Sequence, residues 1–243
     1  MSSASALDLP APTPKSLAFP PASPIMGLYG ITPEWDDIDR LAEGIAAASR
    51  GGMQVLQFRR KLASGNRKLA EARRLKDLCD RLGIVYIIND DWRLALDVGA
   101  TGVHLGRDDG DLAPVRAQVG QGMLIGASCY NELALAESAL RQGADHVAFG
   151  AVFTSPTKPL AVRAPLSCLT AARDLRLPPN GEDARRPAVV AIGGITPDNA
   201  PSVVAAGADA LAVISALFET DDIEATARAF SRAFASSAPT LSE

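Results

Sequence analysis

Short apolar runs recur along this chain, and six of them break off into polar, chemically useful groups instead of ordinary turns. They read MQVLQFRRK (53–61), IVYIINDD (84–91), TGVHLGRDD (101–109), HVAFGAVFTSPTK (146–158), AVVAIGG (188–194) and ALAVIS (210–215). Between such runs the apolar positions change to helical spacing. Ile38, Leu41, Ala42 and Ile45 form one stripe, with Thr32-Pro33 offering an N-cap and a first-turn proline. Leu75, Leu78, Cys79 and Leu82 form a second stripe, and Leu133, Ala136 and Leu140 a third. Thr196-Pro197 is expected to cap a helix that turns Val203 and Val204 inward, and Ile223, Ala227, Phe230 and Phe234 make the last stripe.

A weak repeat supports this alternation. GATGVHLG (99–106), GADHVAFG (143–150) and GADALAVI (207–214) each place Gly-Ala at a helix end and start an apolar run two residues later. Glycine just past a helix suits a left-handed C-cap. The pattern predicts eight strands, near 26–31, 53–59, 84–88, 102–105, 123–127, 146–150, 188–193 and 209–214. Short strands alternating with helices imply parallel pairing, and eight such units suit an α/β fold closed as a single (β/α)₈ TIM barrel. An open doubly wound sheet also accommodates the count. In either case parallel strands carry all their polar ends to one side.

Composition narrows the picture. The chain has 243 residues, 47% hydrophobic and 21% charged, enough for one domain with a large core. A net charge of −4 gives no general affinity for nucleic acid. No apolar stretch reaches the roughly 18 residues of a membrane span. Cys79, Cys129 and Cys168 are widely spaced, which suits reduced thiols in the cytoplasm. Residues 1–24 carry six prolines and little apolar surface, and are expected to be a disordered tail ahead of a barrel domain at 25–238. They lack the form of a secretory signal. LPPNGEDARRP (177–187) has no apolar period and reads as a surface loop.

The strand ends carry the chemistry. Gly193-Gly194 and Ile214-Ser215 follow the seventh and eighth strands, where barrels of this type often bind phosphate on backbone N–H groups; a plain tight turn is the competing reading. Gln57, Arg59 and Lys61 share one face of a strand, so a lumen-facing Gln57 puts both cations at the barrel mouth, a diphosphate clamp. Taken alone, Arg59 and Lys61 read better as ordinary strand-end charges. Nine basic and three acidic residues lie from 59 to 81, and most of those beyond Lys61 are expected on the solvated face of a helix. Asp90 and Asp109 end adjacent strands and are the candidate Mg²⁺ ligands, since Mg²⁺ takes oxygen donors and bridges to phosphates. Asp91 and Asp111 read as helix caps. Thr154-Ser155-Pro156-Thr157-Lys158 forms a further anion-binding loop, a signal shared with many flexible loops. Ser128 is placed to donate to a phosphate oxygen. His104 and His146 read as satisfied structural residues.

In combination these motifs resemble thiamine phosphate synthase over about residues 26–235. The family carries Gln-x-Arg-x-Lys, Asn-Asp-Asp, His-x-Gly-Gln-x-Asp, Gly-x-Ser, Thr-x-Thr-Lys, Gly-Gly-Ile and a closing x-Ser, in that order. Here they stand as Gln57/Arg59/Lys61, Asn89-Asp90, His104/Gly106/Asp109, Ser128, Ser155/Thr157/Lys158, Gly193-Gly194-Ile195 and Ile214-Ser215. The resemblance implies a (β/α)₈ barrel joining hydroxymethylpyrimidine diphosphate to a thiazole phosphate, with pyrophosphate released through a dissociative, Mg²⁺-dependent step. It assigns Asp90 and Asp109 to Mg²⁺. Gln57, Arg59, Lys61, Asn89, Ser128 and Lys158 fall to the pyrimidine diphosphate, with Arg59, Lys61, Ser128 and Lys158 catalytic. Ser155, Thr157, Gly194, Ile214 and Ser215 fall to the thiazole phosphate. Small-molecule partners are implied, without nucleic acid or membrane, and a homo-oligomer is left open.

Three positions depart from the pattern: Arg107 stands in place of Gln, Ser155 in place of Thr, and Ala151 in place of Pro. A related thiazole tautomerase shares the barrel but lacks much of the diphosphate and metal apparatus. A non-catalytic phosphate-ester sensor needs no carboxylate pair. A sugar-phosphate isomerase or lyase wants an acid/base pair or a Schiff-base lysine inside the barrel, and no strand-interior residue suits that role.

Overall fold

A computed structural model of the chain describes residues 24–154, 162–176 and 186–235. Eight parallel strands close into one barrel in sequence order, each followed by a helix. The order is β1 (Gly27–Ile31), α1 (Ile38–Arg50), β2 (Met53–Phe58), α2 (Gly65–Leu82), β3 (Val85–Asn89), α3 (Trp92–Val98), β4 (Gly102–Leu105) and a 3₁₀ turn at Arg107–Asp109. It continues with α4 (Leu112–Val119), β5 (Leu124–Tyr130), α5 (Leu133–Arg141), β6 (His146–Gly150), α6 (Leu166–Ala172), β7 (Ala188–Ile192) and α7 (Ala200–Ala205). The last elements are β8 (Ala210–Val213), α8 (Ser215–Phe218) and α9 (Ile223–Ala235). β1 pairs with both β2 and β8, which closes the barrel and excludes the open sheet. No helix among the described residues is long and apolar enough to cross a membrane.

Strand alternation sorts the side chains into two cores. One face of each strand packs outward on the helices, with Leu41, Ile45, Leu75, Cys79, Ala136, Leu140, Ala227 and Phe230 meeting Leu56, Phe58, Ile88, Val103 and Phe149. The other face fills the lumen with Tyr29, Ile31, Val55, Ile87, Ala148, Ala188, Val190, Ala210 and Ala212. The apolar stripes expected from sequence all lie toward the outer core, with Ile38, Leu78 and Phe234 partly buried at its edge.

The Gly-Ala repeat has a structural meaning that its spacing did not disclose. Its third residue brackets the second residue of the preceding strand. Thr101 Oγ1 accepts from Tyr86 N–H while Thr101 N–H donates to Tyr86 C=O. Asp145 does the same with Ile125, and Asp209 with Val189. Each of these residues therefore ties two neighbouring strands at the N-terminal end of the barrel.

Three expectations are corrected. Thr32-Pro33 does not cap α1: Asp37 does, accepting from Asp39 and Arg40 N–H. Thr32 is buried instead, and its hydroxyl both donates to Arg59 C=O and accepts from Arg59 N–H. Thr196-Pro197 does not cap α7 either. The helix starts at Ala200 after Asn199, whose side chain accepts from Thr196 N–H and donates to Gly194 C=O. Finally, the stretch 177–187 is not all surface, because Arg186 is buried in a two-pronged ion pair with Asp209 at 2.5 and 2.6 Å. The expected tail, apart from Pro24, and positions 177–185 lie outside the described residues.

Candidate active site

The C-terminal ends of β2, β3, β4, β5, β7 and β8 bring most of the sequence-predicted residues to one mouth. Gln57 faces the lumen as expected, buried, and its amide donates to the Tyr29 hydroxyl at 2.9 Å. Arg59 follows, half-buried, and Lys61 is exposed. Between them Arg60 turns the other way, its buried guanidinium pairing with the buried Glu71 and reaching out to Glu34 and the exposed Asp36. Glu34 organises this loop. Its carboxylate accepts from Lys61 and Leu62 N–H at 2.7 and 3.4 Å and lies 3.8 Å from the Arg59 guanidinium. Sequence reasoning missed Glu34, and no motif marks it.

Asp90 has a left-handed backbone, φ +64°. Outside glycine such backbones concentrate at Asn and Asp and at functional sites. Its carboxyl is held above the usual carboxylate range, first by burial, then by the charge of Asp109 and a hydrogen bond with it. Lys61 and Arg59 pull the Asp90 carboxyl in the opposite direction. Asp109 also accepts from Gly106 N–H at 2.6 Å, which pins the 3₁₀ turn. Asp91 caps α3 through Leu94 N–H and pairs with Lys68 at 3.2 Å. Asp111 occupies the N-cap position of α4 without a side-chain bond. Arg107 leans away from the carboxylates, pairing with Glu132 at 2.7 Å and stacking over Tyr130.

Asn89 lies half-buried at the tip of β3, in register with His104. Ser128, half-buried on β5, sits 3.0 Å from His104 Nε2. The histidines are not satisfied as the sequence suggested. His104 Nδ1 and both ring nitrogens of His146 are buried and find no partner among the described residues. The lumen register that brings them together cannot be read from spacing alone. Gly193 and Gly194 have φ of +101° and +66°, and a Cβ on Gly194 would strike Thr154 C=O. That tight turn lies beside Ile214, packed at the lumen edge, and Ser215, the first residue of α8. Ser155, Thr157 and Lys158 lie outside the described residues.

No group of three or more His, Cys, Asp or Glu side chains is arranged for a metal among the described residues. The Asp90/Asp109 couple still fits Mg²⁺. Two carboxylates that raise each other's energy are relieved by a dication, and Mg²⁺ commonly uses one or two carboxylates plus waters and phosphates.

The model of the thiamine monophosphate synthase family matches residues 28–217. The chain belongs to that family. A thiamine-phosphate synthase of Bordetella bronchiseptica is 60% identical over 220 residues, covering 90% of this chain and 98% of the relative. One from Methylobacillus flagellatus is 51% identical over 211 residues, covering 87% and 96%. Among solved structures, thiamine phosphate pyrophosphorylase from Pyrococcus furiosus superposes with a TM-score of 0.74 at 28% identity, covering 87% of this chain and 96% of that one. The 3-hexulose-6-phosphate synthase of Salmonella typhimurium, at 17% identity and a TM-score of 0.64, shares the fold alone. As a thiamine-phosphate synthase family member the protein is a transferase with a small-molecule substrate site.

Proposed function

We propose that the protein joins 4-amino-2-methyl-5-(diphosphomethyl)pyrimidine to thiazole phosphate, giving thiamine monophosphate and pyrophosphate. The methylene C–O bond breaks and its electron pair leaves with the diphosphate. The thiazole nitrogen then supplies the pair that forms the new C–N bond to the pyrimidine-stabilised cation. No protein nucleophile is needed; the site must take up leaving-group charge and hold two reactants in line.

Arg59 and Lys61 receive the charge that builds on the departing diphosphate. Glu34 and Thr32 hold their loop in place. Asp90 and Asp109 would hold Mg²⁺, which when bound neutralises diphosphate oxygens. Gln57 and Asn89 orient the pyrimidine, and Ser128 donates to a diphosphate oxygen. By resemblance Lys158 joins them, while Ser155, Thr157, Gly194, Ile214 and Ser215 receive the thiazole phosphate. Three free thiols, Cys79, Cys129 and Cys168, suit a cytoplasmic enzyme.

The observation that carries this reading is the meeting of Asp90, on its left-handed backbone at the end of β3, with Asp109, at the same barrel mouth as Arg59 and Lys61. A phosphate sensor or a thiazole tautomerase has no use for such a couple. Purified protein given both substrates should form thiamine monophosphate with magnesium and lose that activity with a chelator. Product formation unaffected by chelation would overturn the metal assignment, and no product under either condition would overturn the reaction.

A further inference from the structure

The lumen floor beneath the site holds two histidine rings with centroids 5.7 Å apart. They stand two strands apart, on β4 and β6, with Gly126 of β5 in register between them. A Cβ at Gly126 would overlap both His146 Nε2 and His104 Nδ1, so glycine is what lets these nitrogens crowd against the same face. The other end of the His104 ring, Nε2, meets Ser128 Oγ at 3.0 Å. Ser128, His104 and His146 therefore form one line from the substrate site into the sealed lumen. Burial keeps both rings neutral, lowering His104 to about 4 and His146 well below its ordinary value.

A neutral imidazole has one donor and one acceptor, so the line has a direction. Diphosphate oxygens only accept. For Ser128 to donate to one, its Oγ must accept from His104 Nε2–H, which leaves His104 Nδ1 as a bare lone pair. In the opposite direction Ser128 spends its only proton on His104 and offers the ligand lone pairs alone. Both nitrogens crowd the space over Gly126 without a hydrogen-bond partner, and two lone pairs that close in a buried lumen repel, so a bare Nδ1 on His104 favours an N–H on His146 Nε2.

We propose that His146 is a positioning residue for the transfer step: by carrying its proton on Nε2, the nitrogen crowded beside His104 Nδ1, it biases the His104 proton to Nε2 and frees the Ser128 hydroxyl to donate to diphosphate. This rests on the role given to Ser128 above. Neither histidine touches substrate from this depth in order to act; the effect passes through ring tautomers.

The test is nitrogen-15 NMR of the imidazoles, with magnesium and inorganic pyrophosphate as the probe. The wild-type protein should show His104 and His146 both protonated on Nε2 when pyrophosphate is bound. His146→Phe keeps a ring of similar size without a donor; His104 should then populate the Nδ1–H tautomer. In that variant kcat should fall about tenfold while the KM for thiazole phosphate stays unchanged. His146→Gln, which retains an amide donor, should recover most of the loss. In a Ser128→Ala background, His146→Phe should have no further effect. An unchanged His104 tautomer in His146→Phe, or equal losses in His146→Phe and His146→Gln, would overturn the proposal. Should His146→Phe fail to fold, His104 protonated on Nδ1 in the pyrophosphate-bound wild type would overturn it by itself. The tautomers are read without turnover, so a chain inactive in the coupling assay would refute the proposed reaction and leave this inference separately judged.

Discussion

At the N-terminal end of the barrel Asp145 and Asp209 each meet a guanidinium and a strand N–H, whereas at the C-terminal end Asp90 meets another carboxylate, Asp109. Both kinds of aspartate flank a strand of the same sheet; they differ in the partner each carboxylate meets and, at Asp90, in the left-handed backbone. Arg116 reaches Asp145 and the carbonyls of Gly120, Met123 and Gly143, which satisfies nearly everything around it. Asp90 is left in tension with Asp109 on a left-handed backbone, next to Arg59 and Lys61. One end spends its charge on holding strands together. The other keeps charge available for a ligand, the arrangement expected where stability is given up for chemistry.

The sharpest way to break this contrast is to neutralise a carboxylate at each end. Asp90→Asn should reduce kcat/KM by about 10³-fold or more, because the proposed reaction places the residue where transition-state charge is taken up. The same change should leave the melting temperature of the metal-free protein unchanged or slightly higher, since it removes repulsion with Asp109. The sign follows from linkage: a carboxyl held above its ordinary value in the fold loses stability as pH rises through that interval. Retained activity, or a collapse of the fold, would erase the distinction between the two ends. Asp209→Ala should behave in the opposite way. It removes the two-pronged carboxylate partner of the buried Arg186 together with the acceptor of Val189 N–H and should cost about 3–5 kcal/mol of stability, while the fraction that folds keeps its turnover number. Chemical denaturation followed by an assay at low temperature separates these effects.

Much of the barrel was legible in the sequence, because strands and helices are written in local apolar periods. The eight strands fall within a few residues of their expected positions. What failed was whatever depends on a partner distant in sequence. Thr32 and Thr196 precede prolines and read as caps, but Thr32 is bonded to Arg59 across the β1–β2 pair and Asn199 secures the turn before α7. Nothing in the sequence marked Arg60 as the buried hub of an ion-pair network with Glu71 and Glu34. The Gly-Ala repeat was visible as a pattern, but its cross-strand bonds were not. His104 and His146 appeared as isolated strand residues, since only the barrel register places Gly126 between them. In the candidate site the motifs named residues that the structure gathers at one mouth, apart from Ser155, Thr157 and Lys158, which lie outside the described residues. The supporting Glu34 carries no motif and was invisible.

A milder probe of the lumen is pH. His104 is held down to about 4 by burial, against an ordinary value near 6.5. The unfolded chain therefore binds protons that the native state refuses, and stability falls as pH drops from about 6.5 toward 4. His146→Phe removes one such group and should flatten that slope in denaturation curves taken across the interval; an unchanged slope would mean that carboxylates, not the lumen histidines, set acid stability. The smallest effect is expected at the N-terminal ties. Thr101→Val removes the hydroxyl bonded to Tyr86 N–H and should cost about 1 kcal/mol, with no change in activity.

Calorimetric titration of inorganic pyrophosphate into the protein, with and without magnesium, tests the division of labour between the two ends most directly. Binding in the wild type should depend on magnesium and disappear in Asp90→Asn, while Asp145→Asn, at the opposite end, should bind as the wild type does. Equal pyrophosphate affinity in magnesium and in chelator, or undiminished binding by Asp90→Asn, would contradict the account.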